Sequence, residues 1–304
     1  MSVSLFRFRD QMPRPIIGIG HSVGALQLVN LSIMHPRLLT SLILIEPMIQ
    51  KAPPPGPNAA MLSTLRRDIW PTEAAARSLL GKKIFGSWEP RAFDRLIRYG
   101  LRKTPTAVYP DSTDEFTLTT TKHQEAWTFL RSNFTPQQAS GSEDQRTERI
   151  DRLLIPDVNP TTAGPLLFHR AEAAITEANL PIVRPSVFYI FGGQSILSPP
   201  SGQKLKLETT GVGIGGSGGV KTGQVSSILF PRAGHLLPFE RIAECAEAVS
   251  GWLGTRLAQF SADEAFIKEY DSGKSKRNML VVSEKWKRLV REPADARRPV
   301  KGKL

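Results

Sequence analysis

The chain has 304 residues, 40% of them apolar and 22% charged, which allows one large α/β domain with an insertion or two small domains and excludes a generally disordered chain. The formal charge of +12 raises nucleic acid or an anionic surface as a partner. Roughly half of that excess, however, lies in the last fifty residues, scattered as in Lys274-Ser275-Lys276-Arg277 and Lys285-Trp286-Lys287-Arg288, with no zinc, helix-turn-helix or RNA-recognition signature. A solvated helix face and tail is therefore the expectation, and nucleic acid is not. The single cysteine, Cys245, sits in the helix-like setting Ala243-Glu244-Cys245-Ala246-Glu247, which rules out an intrachain disulfide and argues against a metal-thiolate site. The first residues lack the apolar core of a signal peptide and no apolar run reaches membrane-spanning length, so the expected setting is reducing and intracellular, with no membrane span.

In chain order, Pro15 to Gly20 is a short β-branched run ending in glycines and reads as a buried strand. A helix follows at once, with apolar residues Leu26, Val29, Ile33 and Leu28, Leu31 at helical spacing, and His35-Pro36 ends it. Leu39 to Ile45 is next, with the continuous apolar run of a parallel strand covered on both faces, stopping at Glu46-Pro47. Strand, tight turn, helix and strand in so few residues form a βαβ unit, which predicts a parallel sheet with right-handed crossovers.

From Pro53 to about Pro181 the pattern becomes helical stretches (Thr64-Ile69, Thr72-Leu80, Pro90-Tyr99, Thr121-Phe134) between Pro- and Ser-rich loops. This stretch reads as a helical cap inserted between two strands. Sheet signals resume at Ser186 to Phe191, ended by Gly192-Gly193, and Val225 to Phe230 is the last strand. Between them, Gly211 to Gly219 lacks the Lys-Ser/Thr of a phosphate-binding loop and reads as a flexible surface loop. An amphipathic helix from Pro238 to about Leu257 and a charged tail complete the chain. The expected organisation is a core of residues 1–52 and 182–258, a cap of residues 53–181 and a basic extension of residues 259–304.

Chemistry is concentrated in Gly20-His21-Ser22-Val23-Gly24, between the first strand and the first helix. A nucleophile on so sharp a turn needs small neighbours two positions before and after it, and Gly20 and Gly24 supply them. A serine hydroxyl is a poor nucleophile until a base takes its proton. Of the five histidines, His235 lies just after the last strand and before the last helix, where the base stands in the chain order serine, acid, histidine. His21 is read as pointing away from the reacting centre and His35 as capping or packing. His123 and His169 belong to the cap, at its surface or lining a pocket.

The acid is less direct, because the loop after Phe191, Gly192-Gly193-Gln194-Ser195-Ile196, carries no carboxylate. Glu46, at the end of the strand after the elbow helix, is the candidate; the alternative is an ordinary strand-end carboxylate paired with a Lys or Arg. As the acid it would fix the tautomer of His235 and stabilise the imidazolium. Val23 offers one backbone N–H for an oxyanion hole. Trp70, Trp88, Trp127 and Phe168 could line an apolar acyl pocket or simply form cap core. No metal or organic cofactor is called for.

These pieces, above all Pro13 to Ser22, Leu44-Ile45-Glu46-Pro47, Gly215-Gly216-Ser217-Gly218-Gly219 and Ala233 to Pro238, resemble fungal α/β-hydrolases, in particular the peroxisomal abhydrolases of host-selective toxin biosynthesis. The resemblance implies an α/β-hydrolase fold and hydrolysis of a carboxylic ester or thioester, in secondary metabolism and in the peroxisome. Import would use Gly302-Lys303-Leu304, a near match to the Ser-Lys-Leu signal read by the peroxisomal receptor; otherwise the protein would stay in the cytoplasm. A complete member would carry further strands and the second oxyanion donor before Pro15, so the chain reads as amino-terminally truncated, with the elbow strand at a sheet edge. The rival reading is a non-catalytic remnant that binds a ligand or partner.

Overall fold

The structure is a computed structural model that describes residues 11–52, 58–83, 85–132 and 168–292. Gly302-Lys303-Leu304 lie outside the described residues. The chain divides into two units, residues 1–256 and residues 257–304.

The first unit opens with β1 (Ile17–His21), α1 (Val23–Met34) and β2 (Ser41–Ile45), the expected βαβ unit. α1 buries Ala25, Leu26, Val29 and Ser32, and it stops at His35, whose φ of −131° and ψ of 77° leave the helical region one residue before Pro36. The inserted stretch follows, with α2 (Ala59–Leu65), β3 (Ile69–Trp70), α3 (Glu73–Lys83), α4 (Pro90–Gly100), β4 (Leu101–Lys103), β5 (Phe116–Leu118), α5 (Lys122–Phe129), β6 (Arg131–Ser132), β7 (Phe168–His169) and α6 (Ala171–Asn179). The sheet resumes with β8 (Ser186–Gly192), α7 (Pro200–Thr209) and β9 (Val225–Phe230), followed by α8 (Leu237–Glu240) and α9 (Ile242–Ser272).

Strands β1, β2, β8 and β9 form one parallel sheet in that order. Its register aligns His21 with Ile45, Ile45 with Ile190, and Ile190 with Ile228, so the carboxyl ends of the strands meet along one edge. Side chains alternate between two cores. Leu42, Leu44, Val187, Tyr189 and Phe191 pack on one face with Ala25, Leu26 and Val29 of α1. On the other face Ile43, Ile45, Phe188 and Ile190 pack with Leu237, Cys245, Val249 and Trp252. That double cover is why Leu42 to Ile45 read as an unbroken apolar run, all five residues of β2 being buried. Trp252 is fixed twice, stacked on Phe188 at 5.2 Å between centroids and donating its indole N–H to Ser41 Oγ at 2.9 Å. Among the described residues β1 is an edge strand, and its Ile19 is 56% exposed.

The inserted stretch is not purely helical. β3, β5 and β4 form an antiparallel three-stranded sheet over a small core of Trp70, Ala76, Leu80, Ile97 and Leu118. The helix expected at Thr64-Ile69 ends at Leu65, where Arg66 turns extended and Ile69-Trp70 pairs with Thr117-Phe116. The helix expected through Phe134 ends at Phe129, because Leu130 is extended and Arg131-Ser132 pairs with Phe168-His169. Strands of two or three residues are too short for alternation to declare itself.

The glycine-rich stretch is tied down rather than flexible. Gly211 and Gly213 donate to Leu180 O and Pro181 O at 2.9 and 2.8 Å, Ser217 donates to Val183 O at 3.0 Å, and Gly218 closes back on Gly211 O at 2.8 Å. The last helical region is broken at Arg241 and its second part runs on to Ser272. In the second unit α10 (Lys276–Leu280) and α11 (Glu284–Val290) are capped by Ser275 and Ser283, and their described residues are exposed.

Candidate active site

β1 ends at His21 and α1 begins at Val23, which leaves Ser22 alone to make the turn. It does so at φ 54° and ψ −119°, a conformation costing a non-glycine residue about 1–3 kcal/mol. The backbone of Ser22 is held on both sides, its N–H donating to Ile45 O at 3.0 Å and its carbonyl accepting from Ala25 and Met48 at 3.2 and 3.3 Å. Gly20 is required by space, since a Cβ there would come within 2.8 Å of Ala25 N and Cα. The same expectation fails for Gly24, where a Cβ would meet nothing within 4 Å. Val23 is the first residue of α1, so its N–H lies before the helical ladder begins and is free by position to face an anion.

Glu46 follows β2 directly, with a positive φ of 47° and its N–H donating to Ile190 O at 2.8 Å. Its carboxylate is fully buried. Gly192 N–H donates to Oε1 at 2.6 Å and His235 Nδ1 lies 3.2 Å from Oε2. Gly192 has to be glycine for this, because a Cβ would collide with Gly234 O at 2.6 Å and Ala233 O at 2.7 Å. On its other side, His235 Nε2 stands 3.0 Å from Ser22 Oγ. A carboxylate only accepts, so Nδ1 carries the imidazole proton and Nε2 presents its lone pair to the serine hydroxyl. The strand-end carboxylate thus pairs with the histidine and not with a Lys or Arg.

Burial by itself would push the Glu46 carboxyl up; hydrogen bonds from His235 and Gly192, with the Ser195 and Ser198 hydroxyls beside it, outweigh that and hold it below its ordinary value. Lys206, buried in α7, is lowered by its own burial, while the charges of Glu177 and Glu46 act to raise it.

His21 does not point away from this centre. Its Nε2 lies 2.8 Å from the backbone carbonyl of His235, and the two imidazoles are 4.9 Å apart. A second group absent from the sequence reading is Glu240, which takes Gly234 N–H at 3.0 Å on one oxygen and Ser87 Oγ of the inserted stretch at 3.0 Å on the other. The only sequence hint was that His21 adjoins Ser22 and that Glu240 follows His235 within the same short segment.

His35 ends α1 and is buried, His123 is exposed on α5, and His169 lies in β7. The four aromatics read as lining a pocket or forming cap core are dispersed: Trp70 is core of the inserted sheet, Trp88 stacks on Phe239 at 4.3 Å, Trp127 is 73% exposed, and Phe168 lies in β7. Cys245 is buried and its thiol is pushed up to about 11 by that burial, which leaves it unreactive at neutral pH. Among the described residues no group of three or more His, Cys, Asp or Glu could hold a metal ion, and no helix is long and apolar enough to cross a membrane.

A serine on a strained strand-to-helix turn, a histidine after the last strand and a buried carboxylate, gathered at the carboxyl edge of a parallel sheet, define the class of α/β hydrolases. The family model for alpha/beta hydrolases matches residues 3–248, and the chain belongs to that family. It is 35% identical over 322 residues to the type I acyl-CoA thioesterase mpaH' of Penicillium brevicompactum, spanning 98% of this chain and 71% of that protein. It is 28% identical over 250 residues to the abhydrolase domain-containing protein AFT2-1 of Alternaria alternata, covering 80% and 84% of the two chains. In fold it is similar to the peroxisomal alpha-beta-hydrolase Lpx1 of Saccharomyces cerevisiae, with a TM-score of 0.55 at 16% identity over 90% of this chain and 68% of that one.

Two predictions follow from the elbow and the acid. Gly20→Ala should cost about 1–3 kcal/mol in urea unfolding, as expected for overpacking, whereas Gly24→Ala should change stability by less than about 1 kcal/mol. For Glu46 the native pKa is lowered, so its stabilising contribution is complete above the ordinary carboxylate range and is lost as pH falls through the native value. Urea midpoints measured across acid pH should therefore fall more steeply for the wild type than for Glu46→Gln; parallel curves would show that the carboxylate is not stabilised by its partners.

Proposed function

We propose that Ser22, His235 and Glu46 are the catalytic triad of a hydrolase that cleaves an acyl thioester, with a carboxylic ester as the related substrate class. The observation that carries this reading is the unbroken hydrogen-bonded path from Ser22 Oγ to His235 at 3.0 Å and on to the buried Glu46 at 3.2 Å. The 35% identity to an acyl-CoA thioesterase supports the thioester and supports a place in fungal secondary metabolism, as do the Alternaria relatives.

In this mechanism Ser22 Oγ attacks the acyl carbonyl while its proton passes to His235 Nε2. The carbonyl oxygen becomes an oxyanion that the Val23 N–H stabilises; loss of one such donor typically costs about 2.7–4 kcal/mol in the barrier. Collapse expels the thiolate, which takes the proton from His235 and leaves as the thiol. Water then attacks the acyl-serine, again giving its proton to His235, and the carboxylic acid departs as Ser22 recovers its proton. Glu46 stays ionised throughout, orienting Nδ1–H and stabilising the imidazolium.

A fluorophosphonate probe should label the wild-type chain and not Ser22→Ala. Long-chain and aryl acyl-CoA thioesters, assayed by thiol release, should be hydrolysed with a kcat that Glu46→Gln lowers by about 10³–10⁴, the loss expected when the histidine is left in the wrong tautomer. Absence of labelling in a chain shown by circular dichroism to be folded would instead favour a non-catalytic binding protein.

Peroxisomal residence belongs to the same proposal and is supported by Gly302-Lys303-Leu304. A fluorescent reporter carrying residues 289–304 at its carboxyl end should appear in peroxisomes of a filamentous fungus and become cytosolic when Leu304 is removed.

A further inference from the structure

The ring of His235 is held at both nitrogens by the triad, but its main chain belongs to the loop after β9 and must be placed separately against the elbow. The contact that does this runs from His21, the residue next to the nucleophile. A backbone carbonyl only accepts, so the 2.8 Å contact between His21 Nε2 and His235 O makes Nε2 the protonated nitrogen of His21. His21 is itself fixed, being paired in register with Ile45 as the last residue of β1 and lying edge-on to Phe239 at 6.2 Å. Phe239 in turn is stacked on Trp88 of the inserted stretch. The bond therefore joins the residue next to Ser22 directly to the main chain of the base.

We propose that His21 is a positioning residue for the base, its Nε2–H clamping the main chain of His235 so that the imidazole meets Ser22 Oγ at reacting distance. This rests on the triad reading above. The groups that face His21 are the His235 ring, the Glu46 carboxylate behind it and the uncharged Phe239. Burial is the main influence on His21 and pulls it below the ordinary histidine value; the bond to His235 O and the Glu46 charge oppose this, and the His235 charge adds to it. It therefore serves as a neutral donor. A cation 4.9 Å from His235 would oppose the imidazolium that forms during catalysis.

The test is the rate of fluorophosphonate labelling against probe concentration, which separates the maximal rate from the half-saturating concentration. In this reaction Ser22 Oγ forms a bond to phosphorus, fluoride leaves, and the serine proton passes to His235, so the maximal rate reports the placement of the base. His21→Leu should lower that rate about tenfold, as for loss of one oriented hydrogen bond, and leave half-saturation unchanged. His21→Gln, whose amide N–H reaches to a similar point, should stay within about threefold of wild type, while the shorter His21→Asn should behave like leucine. Wild-type labelling with an undiminished rate in His21→Leu would overturn the clamp alone, and so would equal losses in the glutamine and leucine variants or a shift in half-saturation that matches the loss of rate. Failure of the wild type to label would remove the triad reading and this one with it. If His21→Leu does not fold, the glutamine and asparagine variants decide the matter between them.

Discussion

A fully buried carboxylate is costly unless every lone pair that matters finds a donor. Glu46 meets that condition only because three separate segments converge on it. β2 delivers the residue, β8 delivers the Gly192 N–H, and the loop after β9 delivers His235. Each depends on the parallel register, which brings the carboxyl ends of the strands to one edge. The acid is therefore both a member of the site and the knot that holds the strand ends together. The knot also has no room for a side chain at Gly192, where a Cβ would come within 2.6 Å of Gly234 O and 2.7 Å of Ala233 O in the base loop.

How much of this the sequence displays depends on the length of the signal. β2 and β8 are runs buried along their whole length while β1 and β9 are partly exposed, and all four lie where the sequence pattern predicted them. The elbow is legible because the turn geometry restricts which residues can occupy it, although the two glycines differ: space demands Gly20 and makes no demand at Gly24. The inserted stretch is less legible because β3 is held by pairing with β5 far along the chain, Ile69 with Thr117 and Trp70 with Phe116, and strands of two or three residues do not announce their partners. Glu46 was visible as a candidate only by elimination, since the usual loop lacked a carboxylate. What made it the partner of His235 was the register, which no local pattern encodes.

His21 illustrates the opposite kind of failure. Its position inside the elbow suggested a side chain directed away from the reacting centre. Alternation governs residues within a strand, but β1 ends at His21 and the chain reverses at Ser22 with a positive φ. The side chain on the last strand position can then lie under the loop that follows β9. Polar side chains at strand ends escape the face rule because nothing beyond them continues the pleat.

The inserted stretch matters to the site through this same loop. Glu89 accepts the Ile242 N–H at 2.7 Å and donates its own N–H to Phe239 O at 2.9 Å, while Ser87 reaches Glu240 and Trp88 lies flat on Phe239. Four contacts from three consecutive residues thus grip the segment from Phe239 to Ile242, and Glu240 passes the connection to Gly234, immediately before the base. With His21 holding the other side of His235, the base loop is fixed between the elbow and the insertion. Placing an insertion between β2 and β8 would ordinarily leave the chemistry indifferent to it. Here the aromatic contacts from His235 through His21 and Phe239 to Trp88 make the position of the base a property of both parts, so a change in the insertion near Trp88 bears on the alignment of the base as well as on any pocket it lines.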